Sequence, residues 1–213
     1  MKGSTHLAIG TMVGVAGIAY QGAYEPWDAA WYLSVAAFSS LSPDLDAPSM
    51  LTRKLTAASR FLRGLVVWAG SASIVVALIA YLSDRLVHPE LVTAAVALTL
   101  LGLIARQGVI RNLLVSGIGA CLFYTGMNDS IGWLLGFGLY VAIAPWLKHR
   151  GLTHTLWATA AWGWIAWELE QQLLLPGLTV TAIMGYASHL LLDIITPQGV
   201  RLLYPLWNKS WKL

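Results

Sequence analysis

His189 and Asp193 stand four residues apart in HLLLD, so on a helix they share one face and can point at the same ion. The same pair also reads as a plain helix-stabilising contact. His149 and His154, in HRGLTH, are five apart and do not share a helix face. Gly151 lets the chain turn between them, and Thr153 is expected to cap the helix that follows. Asp44 and Asp46 occur in SPDLD, where Pro43 and Pro48 bracket them and stop a helix. His6 stands alone near the start of the chain. Each fragment has a bland alternative: a pair of interfacial histidines, a polar loop, an Asp cap. As a set they are imidazole and carboxylate without thiolate, the donors expected for zinc, manganese or non-haem iron. Seven such groups exceed the three or four of one catalytic zinc site. Two ions, about 3.5–4 Å apart, would use them naturally.

The elements that must position these groups are membrane helices. Of 213 residues, 57% are hydrophobic and 11% charged, and the mean hydropathy is +0.66. A soluble domain carries about 25% charged residues. That composition excludes a soluble enzyme, a disordered tail and a disulfide scaffold. The one cysteine, Cys121, permits no internal disulfide and reads as a buried small hydrophobe. A net charge of +3 with no basic run gives no reason to expect a nucleic-acid partner. Apolar stretches at 7–21, 28–42, 64–82, 90–105, 113–127, 131–147, 154–168 and 178–195 predict an all-α polytopic bundle of about eight transmembrane or partly inserted helices. The chain is expected to be a single membrane domain over 1–213.

With both termini cytoplasmic, alternation leaves only Arg85 of the 13 Lys and Arg residues outside, as the positive-inside rule demands. Asp44, Asp46 and Asp193 are then the acids that remain inside. His6, His149, His154 and His189 sit at the inner ends of spans. Three carboxylates and four imidazoles from distant segments thus meet one membrane face, where ionisable groups are expensive and functional.

An N-terminal His, PDLD, HRGLTH and HLLLD followed by TPQGVRLLYP together resemble the YdjM-like family of inner-membrane metal-dependent hydrolases. The resemblance covers residues 1–50 and 145–207; the spans over 64–127 carry none of its motifs. It implies that His6, Asp44, Asp46, His149, His154, His189 and Asp193 are the metal-binding positions, in a site similar to the His/Asp sites of zinc phospholipase C and related nucleases. It places the chain in the inner membrane of a bacterium or archaeon; the charge bias gives the site its cytoplasmic face.

The expected chemistry is hydrolysis by a metal-activated water, with zinc favoured, manganese or iron as alternatives, and two ions. Asp46 is the expected general base. Arg150 could clamp a phosphate through its fork of donors or simply set topology. The segment 51–65 places Leu51, Leu55, Ala58, Leu62 and Leu65 on one stripe, with Arg53, Lys54, Arg60 and Arg63 mostly elsewhere. That pattern predicts an interfacial helix drawn to anionic lipid, and it favours a phosphoester of a lipid or other amphiphile as substrate. The GxxxG patterns Gly10–Gly14 and Gly132–Gly136 allow close helix packing, and a homodimer is one use of it. A metal-ion or proton transporter and a purely structural metal site are the competing classes.

Overall fold

A computed structural model describes residues 1–85 and 87–213. The described residues form eight α-helices: α1 (Gly3–Gln21), α2 (Pro26–Leu41), α3 (Arg53–Asp84), α4 (Pro89–Ile104), α5 (Gln107–Asn128), α6 (Gly132–Ile143), α7 (Leu156–Leu173) and α8 (Leu178–Ile194). Short 3-10 turns cover Ser42–Asp46, Ala144–Trp146 and Leu152–His154. Among the described residues there is no β-strand, only an isolated bridge between Val200 and Trp211. The all-α expectation therefore holds, with one helix for each apolar stretch. By length and composition two of these helices suit a membrane crossing on their own, Arg53–Ser83 and Gln107–Asn128.

Local chemistry sets the boundaries. Gly22 takes the left-handed conformation (φ 66°) that ends α1, and Pro26 opens α2 at the position where a missing N–H costs nothing. Residues 51–65 do not form a separate interfacial helix. From Arg53 onward they are the first turns of α3, which runs unbroken for 32 residues. Nothing between Arg53 and Asp84 stops a helix, so the amphipathic turns propagate into the apolar ones. The cap of α7 is Thr155, whose side chain accepts the Ala158 N–H at 3.2 Å. Thr153, the expected cap, is used elsewhere. Cys121, expected to be buried, is exposed on α5.

The chain divides into two compact units. One holds residues 53–114 and the other residues 1–52 with 115–213. In the first, α3 and α4 pair closely. A Cβ at Gly70 would lie 2.6 Å from the Thr99 nitrogen, and Arg63 Nε donates to the Gly102 carbonyl at 3.1 Å. The second unit carries every candidate ligand. It also contains α5 from Val115 onward, which the sequence grouped with the motif-free spans.

Apolar attraction between helices is weak in lipid, so small residues and interhelical hydrogen bonds must hold them. Gly10 packs on Ser40 and Ala36, and Gly185 on Ala36 and Ser39, which locks α1, α2 and α8 together. The Gly10–Gly14 face is thus occupied by α2 of the same chain and is not free for a second copy. Gly136 packs on Trp164 and Ile165 of α7. Trp162 Nε1 donates to Ser39 Oγ at 2.8 Å, and Ser116 Oγ to the Ala142 carbonyl at 2.7 Å.

A Cβ at Gly14 would lie 2.9 Å from the Leu33 Cα, a backbone atom that cannot swing away. Gly14→Leu is therefore expected to force α1 off α2 and cost about 1–3 kcal/mol or more. A tryptophan-fluorescence melt in detergent should show the thermal midpoint falling by several degrees; an unchanged midpoint would contradict this packing.

Candidate metal centre

The sequence-predicted residues converge. Asp44 and Asp46 leave α2 on the 3-10 turn that Pro43 starts. His149 and His154 flank a tight reversal before α7. There Arg150 adopts φ 58°, and a Cβ at Gly151 would meet the Lys148 carbonyl at 2.6 Å, so this position requires glycine. His6 comes from the first turns of α1, and His189 and Asp193 from the end of α8. His6, His154 and His189 are buried, as are Asp46 and Asp193. Asp44 and His149 form the mouth, with 19% and 47% of their side chains exposed.

The distances are too long for hydrogen bonds and short enough for shared coordination. His154 Nε2 lies 3.8 Å from Asp44 Oδ1 and 3.7 Å from Asp193 Oδ2. His189 Nε2 lies 3.6 Å from Asp44 Oδ1 and 3.8 Å from Asp193 Oδ2. A tetrahedral ion with bonds of about 2.0–2.2 Å holds its ligand atoms roughly 3.3–3.6 Å apart. His6 Nε2 is 3.7 Å from Asp193 Oδ1, and its ring stacks on that of His189 at 3.8 Å. Two adjacent groups emerge, His6 with His189 and Asp193, and Asp44 with His149 and His154; within each, ligand atoms lie within 4.8 Å of one another.

The ring nitrogens facing away from this centre fix which atoms face it. His189 Nδ1 is 2.7 Å from the Ser40 carbonyl, which can only accept, so Nδ1 carries a proton. Thr153 Oγ1 donates to Asp46 Oδ2 at 2.5 Å, so at 2.9 Å it accepts from His154 Nδ1. Both Nε2 atoms are buried and have no hydrogen-bond partner. Asp193 is met by the Arg150 guanidinium at 3.1 Å and the Met1 ammonium at 3.4 Å, but no donor among the described residues reaches either Nε2, so the nitrogen lone pairs face carboxylate oxygens. That arrangement is unfavourable until a cation lies between them.

Asp46 is turned away from this centre. Its Oδ1 takes the His149 Nδ1–H at 2.7 Å and its Oδ2 the Thr153 hydroxyl. The sequence reading made it both a ligand and the base; in the structure its two oxygens orient His149 and, through Thr153, His154. Burial opposes its charged form, but the hydrogen bonds from His149 and Thr153 and the nearby His154 ring outweigh burial and hold its pKa at about 2. The Asp46 bond in turn raises the pKa of His149, while burial pushes Asp44 up. Arg150, read from the sequence as a phosphate clamp or a topology-setting cation, donates to Asp193 Oδ2 at 3.1 Å, to Thr196 Oγ1 at 3.0 Å and to the Gly199 carbonyl at 3.1 Å.

Two tyrosines escaped the sequence reading. Tyr186 donates to the Thr153 carbonyl, and Tyr140 to the Ser42 carbonyl at 3.1 Å; their hydroxyls are 3.0 Å apart. They pin the two loops that carry the ligands. Tyr186 lies three residues before His189 on the same helix face, but in an apolar run that spacing does not set it apart from a packing residue.

The family model described as YdjM inner membrane protein matches residues 1–213, the whole chain. The chain belongs to the YdjM family. The resemblance seen in the motifs of 1–50 and 145–207 thus extends through the motif-free helices, and YdjM membership places the chain among inner membrane proteins. Comparisons with curated proteins and with solved structures found no match.

Proposed function

We propose that this YdjM family member is a membrane-embedded, metal-dependent hydrolase acting at the cytoplasmic membrane interface on a phosphoester of a lipid or other amphiphile. The observation that carries the reading is the pair of buried, partnerless Nε2 atoms of His154 and His189 set against the carboxylates of Asp44 and Asp193. His6, His189 and Asp193 would hold one divalent ion, and Asp44, His149 and His154 a second, with zinc the favoured metal and manganese or iron as alternatives. Such ions supply Lewis acidity, polarising the scissile group and lowering the pKa of water toward about 7.

The chain's own residues do the rest. Asp46 and Thr153 fix the tautomers of His149 and His154. Arg150 holds Asp193 in place. Asp44 and His149 leave the centre open to solvent on one side, which supports turnover over a closed structural site. The candidate ligands all belong to the ends of helices and the loops beside them. A transport path would need polar groups near the membrane midplane. Eight crossings with both termini inside would leave only Arg85 of the Lys and Arg residues outside, which supports a cytoplasmic face for this end.

Elemental analysis of detergent-purified protein, with Asp44→Ala and His189→Ala alongside, tests the reading. One or two equivalents of zinc, manganese or iron are expected, lost in both variants. Metal-dependent cleavage of bis-p-nitrophenyl phosphate or of a phospholipid should follow. No bound metal after reloading at neutral pH overturns the site. Stoichiometric metal with no cleavage of any ester offered overturns the hydrolase.

A further inference from the structure

Residues 195–213 leave α8 and fold back at the end of the helices that carries the metal centre. Val200 and Trp211 exchange backbone hydrogen bonds at 3.0 and 2.7 Å, and the Leu213 N–H returns to the Ile194 carbonyl at 3.0 Å. The Leu202 carbonyl accepts the Leu156 N–H, in the first turn of α7, at 3.0 Å. The segment is therefore a clasp tied to both α7 and α8. Its base serves the metal centre, because Thr196 and the Gly199 carbonyl hold Arg150. Its outer part faces away from that centre and carries a different set of groups.

There the clasp combines exposed apolar surface with positive charge. Leu206, Trp207, Trp211 and Leu213 are all exposed. The two indoles meet edge to face at 6.4 Å, and Lys209 Nζ lies over both, 5.9 and 5.8 Å from their centroids. The ring faces attract the ammonium but do not neutralise it. Residues 195–213 contain Arg201, Lys209 and Lys212 and no Asp or Glu. The acids of this end, Asp44, Asp46 and Asp193, are directed at imidazoles and at Arg150.

These groups narrow the partner. Lysine is depleted from the cores of protein–protein interfaces, yet here an ammonium sits between the two largest apolar side chains. Indoles have an apolar body and a polar N–H, which suits the headgroup layer of a bilayer. Lysines beside them gain from negative lipid charge. A zwitterionic choline headgroup would bring its own cation to ring faces that Lys209 already occupies. The backbone bridge holds the groups in place beforehand, so little ordering is needed on binding.

We propose that the outer face of this clasp docks on anionic phospholipid of the bilayer. Trp207 and Trp211 sit at headgroup depth, and Lys209 and Lys212 meet lipid phosphates. The proposal holds whether or not the metal centre hydrolyses anything.

Native mass spectrometry of the detergent-purified full chain tests it, with dioleoyl phosphatidylglycerol and dioleoyl phosphatidylcholine as probes. Phosphatidylglycerol is expected to bind in preference. Lys209→Gln with Lys212→Gln should weaken its tightest binding roughly thirtyfold, about fivefold for each lysine at an anionic surface, and leave phosphatidylcholine unchanged. Lys209→Arg with Lys212→Arg keeps the charge and should keep the preference. Arg53→Gln, Lys54→Gln and Arg60→Gln together, at exposed positions of α3, should leave it intact. The lipid-free thermal midpoint reports folding, and if the glutamine pair unfolds, Lys209→Gln alone should show a loss of about fivefold. Equal binding of the two lipids, a preference that survives loss of the lysines, or a preference lost in the α3 variant instead overturns the proposal. A lipid-free dimer that Trp207→Ser with Trp211→Ser converts to monomer would assign the face to a second copy and overturn it too.

Discussion

Asp193→Ala is expected to be the most damaging single substitution at the centre, emptying it of metal and costing roughly 3–5 kcal/mol of stability. The carboxylate faces three imidazoles, with His6 at 3.7 Å, His154 at 3.7 Å and His189 at 3.8 Å. It also pairs with Arg150 at 3.1 Å, where the arginine side chain is only 15% exposed. Removing it takes a ligand from one group and a neighbour from the other, and leaves a largely buried guanidinium without its counter-charge. The two losses can be separated. In the double variant Arg150→Met with Asp193→Ala, the unpaired charge is gone, so most of the stability should return while the metal does not. Thermal unfolding and elemental analysis on the same preparations decide it. A double variant no more stable than Asp193→Ala would mean that the cost comes from packing. Metal retained by Asp193→Ala would remove this residue from the ligand set.

The pattern of apolar stretches and positive loops made eight helices legible, because hydropathy and turn chemistry act locally. The convergence of His6, Asp44, His154, His189 and Asp193 was legible for a different reason: charge bias assigned them to one end before any contact was known. What sequence could not supply was direction. Asp44 and Asp46 are two residues apart on a 3-10 turn, and the turn alone decides that one faces the Nε2 atoms of His154 and His189 while the other faces His149 Nδ1 and the Thr153 hydroxyl. Thr153 and Thr155 are equally good caps by type. Only the placement of the Leu152–His154 turn gives the cap to Thr155 and frees Thr153 for Asp46. Tyr140 and Tyr186 sit in apolar runs and are indistinguishable there from packing residues. The apolar spacing of Leu55, Ala58, Leu62 and Leu65 does not say where the helix ends. The same four basic residues fit a free interfacial helix or the opening turns of a longer one.

Asp46→Asn separates an orienting carboxylate from a ligating one. Metal affinity should fall by about 10–100-fold, the usual cost of losing a carboxylate that holds a ligating histidine, while the number of ions bound at saturation stays the same. Asparagine keeps the shape but turns one acceptor oxygen into a donor. That donor must face either the His149 Nδ1–H, now bonded at 2.7 Å, or the Thr153 hydroxyl at 2.5 Å. Facing His149, it drives the ring to the other tautomer and takes the lone pair from Nε2. Facing Thr153, it reverses the hydroxyl that accepts from His154 Nδ1. Either way one imidazole in the Asp44 group presents a proton where a lone pair is needed. Thr153→Val cuts only the His154 branch and should cost less. Competition of each purified variant against a zinc-chelating indicator measures both effects. If Asp46→Asn emptied the centre as Asp44→Ala is expected to do, Asp46 would itself be a ligand. If affinity were unchanged, the hydrogen bonds would not be setting the tautomers, and the case for a cation between His154, His189 and their carboxylates would lose its second support.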